Sequence, residues 1–149
     1  MITVTQQYSV NTSIDKVFAY ISNPKNDKEW QASCQDVILP EGEELKAGTT
    51  YEIVFRFLGK NMPFQSAITA YETNKSFGYE TLTGPMKFRG HYTFEPLAEG
   101  TSINWVFEAD PGKFFGIVPI ALVKKIFIKQ VEADIKRLKS ILNRQQQAA

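Results

Sequence analysis

Residues 114–146 read FFGIVPIALVKKIFIKQVEADIKRLKSILNRQQ. Turning about 100° per residue from Ile120, the side chains of Val123, Phe127, Val131, Ile135, Leu138, Ile141 and Leu142 fall within about 60° of one line. The spacing predicts one amphipathic helix from Val118 to Gln145, about 40 Å long. Lys125, Lys129, Glu132, Lys136 and Lys139 lie on its back. Pro119 suits its first turn, where a missing N–H does no harm. An apolar stripe of that length is a core face, so a concave surface must cover it. The segments before it are the only source of that surface.

Two charged residues, Lys124 and Asp134, fall about 40° from the centre of the stripe. They are about 15 Å apart along the helix axis, too far to pair with each other. Long charged side chains usually reach water, and Asp134 has Arg137 one turn on. The alternative is that Lys124 points into a cavity and holds a ligand's polar head.

The stretches before the helix alternate as half-buried strands do. Ile2 to Val10 reads as a first strand. Thr12 or Ser13 caps a short helix whose apolar face is Val17, Phe18 and Ile21, and Asn23-Pro24 ends it. Lys25 to Trp30 reads as a second short helix, with Trp30 packed in the core. Ala32 to Leu39 is weakly patterned. Thr49 to Leu58 puts Tyr51, Ile53, Phe55 and Phe57 on one face. Met62 to Glu72 groups Phe64, Ser66 and Ile68, and Ser76 to Thr83 groups Phe77, Tyr79 and Thr81. Met86 to Glu95 sets Met86, Phe88, Gly90, Tyr92 and Phe94 against Lys87, Arg89, His91, Thr93 and Glu95. Thr101 to Ala109 offers Ile103, Trp105 and Phe107, and Asp110-Pro111-Gly112 is a stop. Short turns join these segments, so the sheet is antiparallel, with one face to water and an aromatic face around the last helix. Phe114, Phe115 and Gly116 then form a loop over one end of the groove.

At 149 residues the chain is one domain with room for a sizeable core. The net charge of +1 argues against DNA as a partner. Basic residues crowd the last helix, at Lys124, Lys125, Lys129, Lys136, Arg137, Lys139 and Arg144. That is a solvated face or, less simply, a docking surface for membrane or RNA. The single cysteine, Cys34, excludes an internal disulfide, and with no signal peptide in view a cytoplasmic protein is expected. Residues 114–123 are apolar but too few to span a bilayer. The tail at 146–149 is expected to fray.

The order of strand, two short helices, long meander and terminal helix resembles the helix-grip fold, an α+β architecture. VFAYISNPKNDKEW (Val17–Trp30), Ala47-Gly48-Thr49 entering a strand, FRGHYTFEP (Phe88–Pro96) and EGTSINW (Glu99–Trp105) resemble the polyketide cyclase/dehydrase and lipid-transport proteins of the SRPBCC, or START-like, superfamily. The resemblance covers nearly the whole chain. It implies six or seven curved antiparallel strands gripping the terminal helix. It also implies an apolar cavity for lipids, sterols, polyketides, quinones or hormones, in a fold that hosts binders, carriers and enzymes alike.

The chemistry available is sparse. His91, the one histidine, falls on the solvent face, which leaves no histidine-centred triad for the cavity. No metal-ligand spacing and no phosphate-binding loop occurs, so neither metal nor cofactor is expected. Cys34 reads as an inert packed thiol. The candidate ligand-binding residues are Tyr51, Phe55, Phe57, Ser66, Tyr79, Thr81, Phe88, Tyr92, Trp105 and Phe107 from the sheet, with Val123 and Phe127 from the helix. Packed together they would be a filled core; left partly apart they would wall a pocket. Three functions follow. The first is binding or carriage of a hydrophobic small molecule. The second is a cyclase- or dehydratase-like enzyme, whose acid–base groups would come from Lys124, Asp134, Tyr79 and Tyr92. The third is an interaction protein that docks the basic helix face on a membrane or ribosome. The first is the reading adopted.

Overall fold

Alternation of apolar and polar residues at a period of two produces the sheet, because each strand then buries one face. The computed structural model describes residues 1–57, 59–112 and 116–148, with side chains to residue 145. Strand β1 (Ile2–Val10) leads to helix α1 (Ile14–Ile21), a turn of 3₁₀ helix (Pro24–Asn26) and helix α2 (Asp27–Trp30). Six strands follow: β2 (Cys34–Ile38), β3 (Thr50–Phe57), β4 (Lys60–Glu72), β5 (Ser76–Thr83), β6 (Lys87–Leu97) and β7 (Gly100–Asp110). Helix α3 (Ile120–Ala148) ends the described chain.

The strands form one seven-stranded sheet in the order β1-β7-β6-β5-β4-β3-β2, each neighbouring pair antiparallel. β1 and β2 are therefore opposite edges, and the two short helices carry the chain from one edge to the other. Irregular register at Cys34/Asp36, Gln65/Ser66 and Ile68/Ala70 bends the strands. The sheet curls round α3, whose Val123, Phe127, Val131, Ile135, Leu138 and Leu142 are buried against it and the short helices. Each such side chain stabilises by about 1.5–3 kcal/mol on leaving water.

The expected architecture is present. The terminal helix starts at Ile120 rather than Val118, and its backbone reaches Ala148. Pro119 stands just before it, accepting the first backbone hydrogen bonds from Leu122 and Val123. Its fixed φ and missing N–H fit that position as well as the first turn. Leu58, the Phe114–Phe115 part of the expected loop, and the side chains of the expected frayed tail lie outside the described residues.

Specific polar contacts fix the short helices. Tyr20 Oη donates to Glu29 Oε1 at 2.6 Å, joining α1 to α2. Thr12 Oγ1 donates to the Leu142 carbonyl, and Thr101 Oγ1 donates to the Thr12 carbonyl at 2.8 Å. The start of α1, β7 and the last turns of α3 are thereby held at one end of the groove. The opposite end, where α3 begins, is where the site lies.

Candidate ligand-binding cavity

Between the sheet, α2 and the first half of α3 lies a partly open cavity of about 70 Å³. Its walls are mostly rings. Tyr51, Phe55 and Phe57 come from β3, Tyr79 from β5, Phe88 from β6, and Trp105 and Phe107 from β7. Phe127 closes the α3 side, with its ring centroid 6.3 Å from those of Phe57 and Phe107. Edge-to-face contacts such as Phe55–Phe88 at 5.6 Å hold the rings in place from behind.

A missing side chain makes room for one of these walls. A Cβ at Gly90 would fall 2.3 Å from Tyr79 Oη and 2.4 Å from its Cζ. The Tyr79 ring lies over the glycine backbone of the neighbouring strand, opposite Phe107.

One side of the cavity is polar. Asp27 from α2, Gln31 just after it, Ser33 before β2, and Gln130 and Asp134 from α3 meet there. Burial holds the Asp134 carboxyl above the usual carboxylate range, an effect partly offset by hydrogen bonds from the Ala32 N–H and Gln130 and by the Arg137 charge. Asp27 is half-buried as a whole residue, but its carboxyl is enclosed at the cavity. That enclosure holds it well above the carboxylate range, with no offsetting cause. Burial, and then the charge of Asp27, raises the phenols of Tyr51 and Tyr79, so these three groups sense one another across the cavity. The buried Trp105 Nε1–H makes no hydrogen bond of full geometry, although it approaches the Tyr79 hydroxyl closely enough to oppose that rise. Among the described residues no group of three or more His, Cys, Asp or Glu side chains could hold a metal ion.

Of the residues singled out from the sequence, Tyr51, Phe55, Phe57, Tyr79, Phe88, Trp105, Phe107 and Phe127 line this space. Ser66, Thr81, Tyr92 and Val123 do not. Tyr92 is covered by Trp105, stacked at 5.4 Å, and by Phe94 at 6.0 Å. Ser66 is wholly buried with an unpartnered hydroxyl, and Thr81 Oγ1 accepts from the Phe88 N–H at 3.2 Å. Val123 is buried nearer the start of α3. Lys124 is exposed to solvent, which corrects its candidacy as an inward-pointing group, whereas Asp134 is buried at the polar side. His91 is exposed on the outer face. Cys34 is buried, and burial pushes its thiol up to about 12, which leaves it a poor nucleophile.

Sequence reasoning missed Asp27, Gln31, Ser33 and Gln130, and passed over Ile53, Met86, Ala109 and Val131. A signal for Asp27 existed. It stands three residues before Trp30, so the two share a helix face, and Trp30 is a core residue. Gln130 likewise stands three residues after Phe127 and four before Asp134.

The family model for polyketide cyclase/dehydrase and lipid transport proteins matches residues 1–143. The chain belongs to that family. Solved structures share its fold. A START superfamily protein from Mycobacterium smegmatis is 15% identical, with a TM-score of 0.80 over 97% of this chain and 99% of that one. A protein from Thermus thermophilus is 17% identical, with a TM-score of 0.76 over 93% and 94%. The di-domain ARO/CYC StfQ of the steffimycin biosynthetic pathway is 12% identical, with a TM-score of 0.75 over 97% of this chain and 52% of StfQ. At these identities the likeness is one of fold. No curated protein matches the chain.

Proposed function

We propose that this protein binds or carries a hydrophobic small molecule, without catalysing a reaction on it, in the cavity between the sheet and α3. The observation that carries this reading is an aromatic-walled space with polar groups confined to one side, the usual build of a small-molecule site. At about 70 Å³ the cavity is roughly half the 150 Å³ or so that accepts benzene in an engineered apolar cavity. A lipid, polyketide or quinone would therefore place only one end in it. The test is native mass spectrometry of protein purified from its own host, with extraction of any adduct. A lipid-sized adduct is expected. No adduct, together with no thermal shift across lipids, quinones and flavonoids, would overturn the reading, since a ligand at 100 times its Kd adds about 2.7 kcal/mol.

A second reading, docking to an anionic membrane surface, is favoured by one patch. Ile117, Val118, Ile120, Leu122 and Ile126 are all exposed at the start of α3. Lys124, Lys125 and Lys129 are exposed among them, and no acidic residue occurs between Asp110 and Glu132. Apolar side chains with flanking lysines suit the interface of an anionic bilayer. Among the described residues no helix is long and apolar enough to cross a membrane. Flotation with phosphatidylglycerol vesicles should capture the protein, and Ile120→Glu with Ile126→Glu should release it. Equal capture by neutral vesicles, or none by either, would remove this reading.

A further inference from the structure

The two carboxyls of the cavity differ in one respect. Asp134 already has partners, the Ala32 N–H at 3.1 Å and Gln130 Nε2 at 3.0 Å. The Asp27 carboxyl hydrogen-bonds none of the described residues, and among them no lysine, arginine or histidine lines the space it borders. A carboxyl bordering an apolar cavity with neither a counter-ion nor a hydrogen bond is costly to keep ionised. A second polar group at the same cavity is also unmatched. Trp105 is 5% exposed, and its N–H, which can only donate, has no partner of full geometry. It is turned toward Tyr79, whose hydroxyl lies in the same electrostatic neighbourhood as Asp27.

Resting on the reading of the cavity as a hydrophobic-ligand site, we propose that Asp27, with Tyr79 and Trp105, is its polar anchor and selects neutral apolar molecules bearing an acceptor oxygen, such as ketones, esters or quinones, over carboxylate anions. The physical case is a matching of donors. Desolvation at the cavity favours the protonated form of Asp27, which offers an O–H; Tyr79 offers another and Trp105 an N–H. A carbonyl oxygen has two lone pairs and no proton, so it can answer two of these donors and stay uncharged in an apolar space. A carboxylate could accept from the same donors, but it would carry a full charge into a mostly apolar space where no described lysine, arginine or histidine pairs it, and would lose hydration that the donors only partly replace. An ammonium would leave the Trp105 N–H unanswered, and could pair with Asp27 only by ionising a carboxyl that its surroundings hold neutral.

The experiment uses small probes of one shape, titrated into the full chain at neutral pH and followed by amide and indole NMR shifts. They are acetophenone, its hydrocarbon isostere α-methylstyrene, benzoate and benzylammonium. Acetophenone should bind at least about ten-fold tighter than α-methylstyrene, the gain expected for satisfying buried donors. It should move the Trp105 indole resonance, and benzoate should bind weakest. Asp27→Leu should abolish the preference, and Asp27→Asn, which still offers an N–H donor, should retain most of it. Equal binding of acetophenone and α-methylstyrene would overturn the anchor and leave the hydrophobic site standing. Tighter binding of benzoate or benzylammonium would also overturn it. Failure of all four probes would instead overturn the hydrophobic-ligand reading, and the anchor with it.

Discussion

Asp134 Oδ1 accepts the Ala32 backbone N–H at 3.1 Å, tying the middle of α3 to the chain between α2 and β2. The guanidinium of Arg137 stands 3.6 Å from the same oxygen and donates to the Trp30 carbonyl at 2.8 Å. The two residues form a clasp at the polar side of the cavity, joining elements far apart in the chain. Asp134→Ala removes the acceptor and strands a backbone donor, which should cost about 1–3 kcal/mol in urea unfolding. Asp134→Asn keeps one acceptor oxygen and should cost less. Equal losses in the two variants would mean that packing, not the hydrogen bond, holds the clasp.

Asp27 and Asp134 both have folded-state pKa values above their ordinary value of 3.8. As pH rises from there, the unfolded chain gives up these protons while the folded protein keeps them. Their contribution to stability is therefore fully present below that value and declines as pH rises toward the folded values. The slope is at most about 1.4 kcal/mol per pH unit per group. Thermal melts between pH 4 and pH 8 should show this decline superimposed on the other groups. Asp27→Asn, which cannot ionise, should flatten it. Parallel profiles for wild type and variant would show that Asp27 does not titrate with folding.

Gly90 carries the Tyr79 ring. Gly90→Ala puts a methyl group within 2.4 Å of Tyr79 Cζ, so the ring must move and the cavity wall with it. Overpacking of this kind should cost about 1–3 kcal/mol. In a Tyr79→Ala background the same substitution should cost much less, because the clash is gone. Additive costs in that double-mutant cycle would place the origin of the loss elsewhere.

Phe127 and Leu138 are both buried on the same face of α3, but only Phe127 borders the cavity. Phe127→Ala should cost about 3–5 kcal/mol and Leu138→Ala about 2–5 kcal/mol, by loss of packed volume. Their effects on binding should differ. Naphthalene should shift the Trp105 indole resonance strongly in Phe127→Ala, whose space is enlarged beside Trp105 and Phe107. In Leu138→Ala the response should match that of wild type. A matching response in both variants would put the binding space elsewhere along the helix.

Periodicity made the fold legible. Val123 to Leu142 repeat at helical spacing and the strand residues at a spacing of two, because burial of one side is imposed along each element as a whole. The ring-lined wall followed from the same alternation, since Tyr51, Phe55 and Phe57 must share a face whatever they touch. Those patterns depend on local geometry alone, and a linear sequence records local geometry.

Whether an inward residue borders empty space or another ring depends on contacts between elements. Tyr92 alternates inward as Phe88 does, yet Trp105 lies nearly parallel over it, with 5° between the ring planes. Asp27 shows the limit most clearly. As an acid in the first turn of a four-residue helix, it reads from the sequence as a solvated helix-start residue. The fold instead lays that helix against α3 beside the inner face of the sheet, and the carboxyl is left at the cavity with no partner. Which faces are buried, and hence the helix-grip architecture, is written in the order of the residues. Which buried groups stay unmatched emerges only when the elements pack together. Burial follows from one element's pattern, whereas an unmet hydrogen bond is a property of everything packed around it.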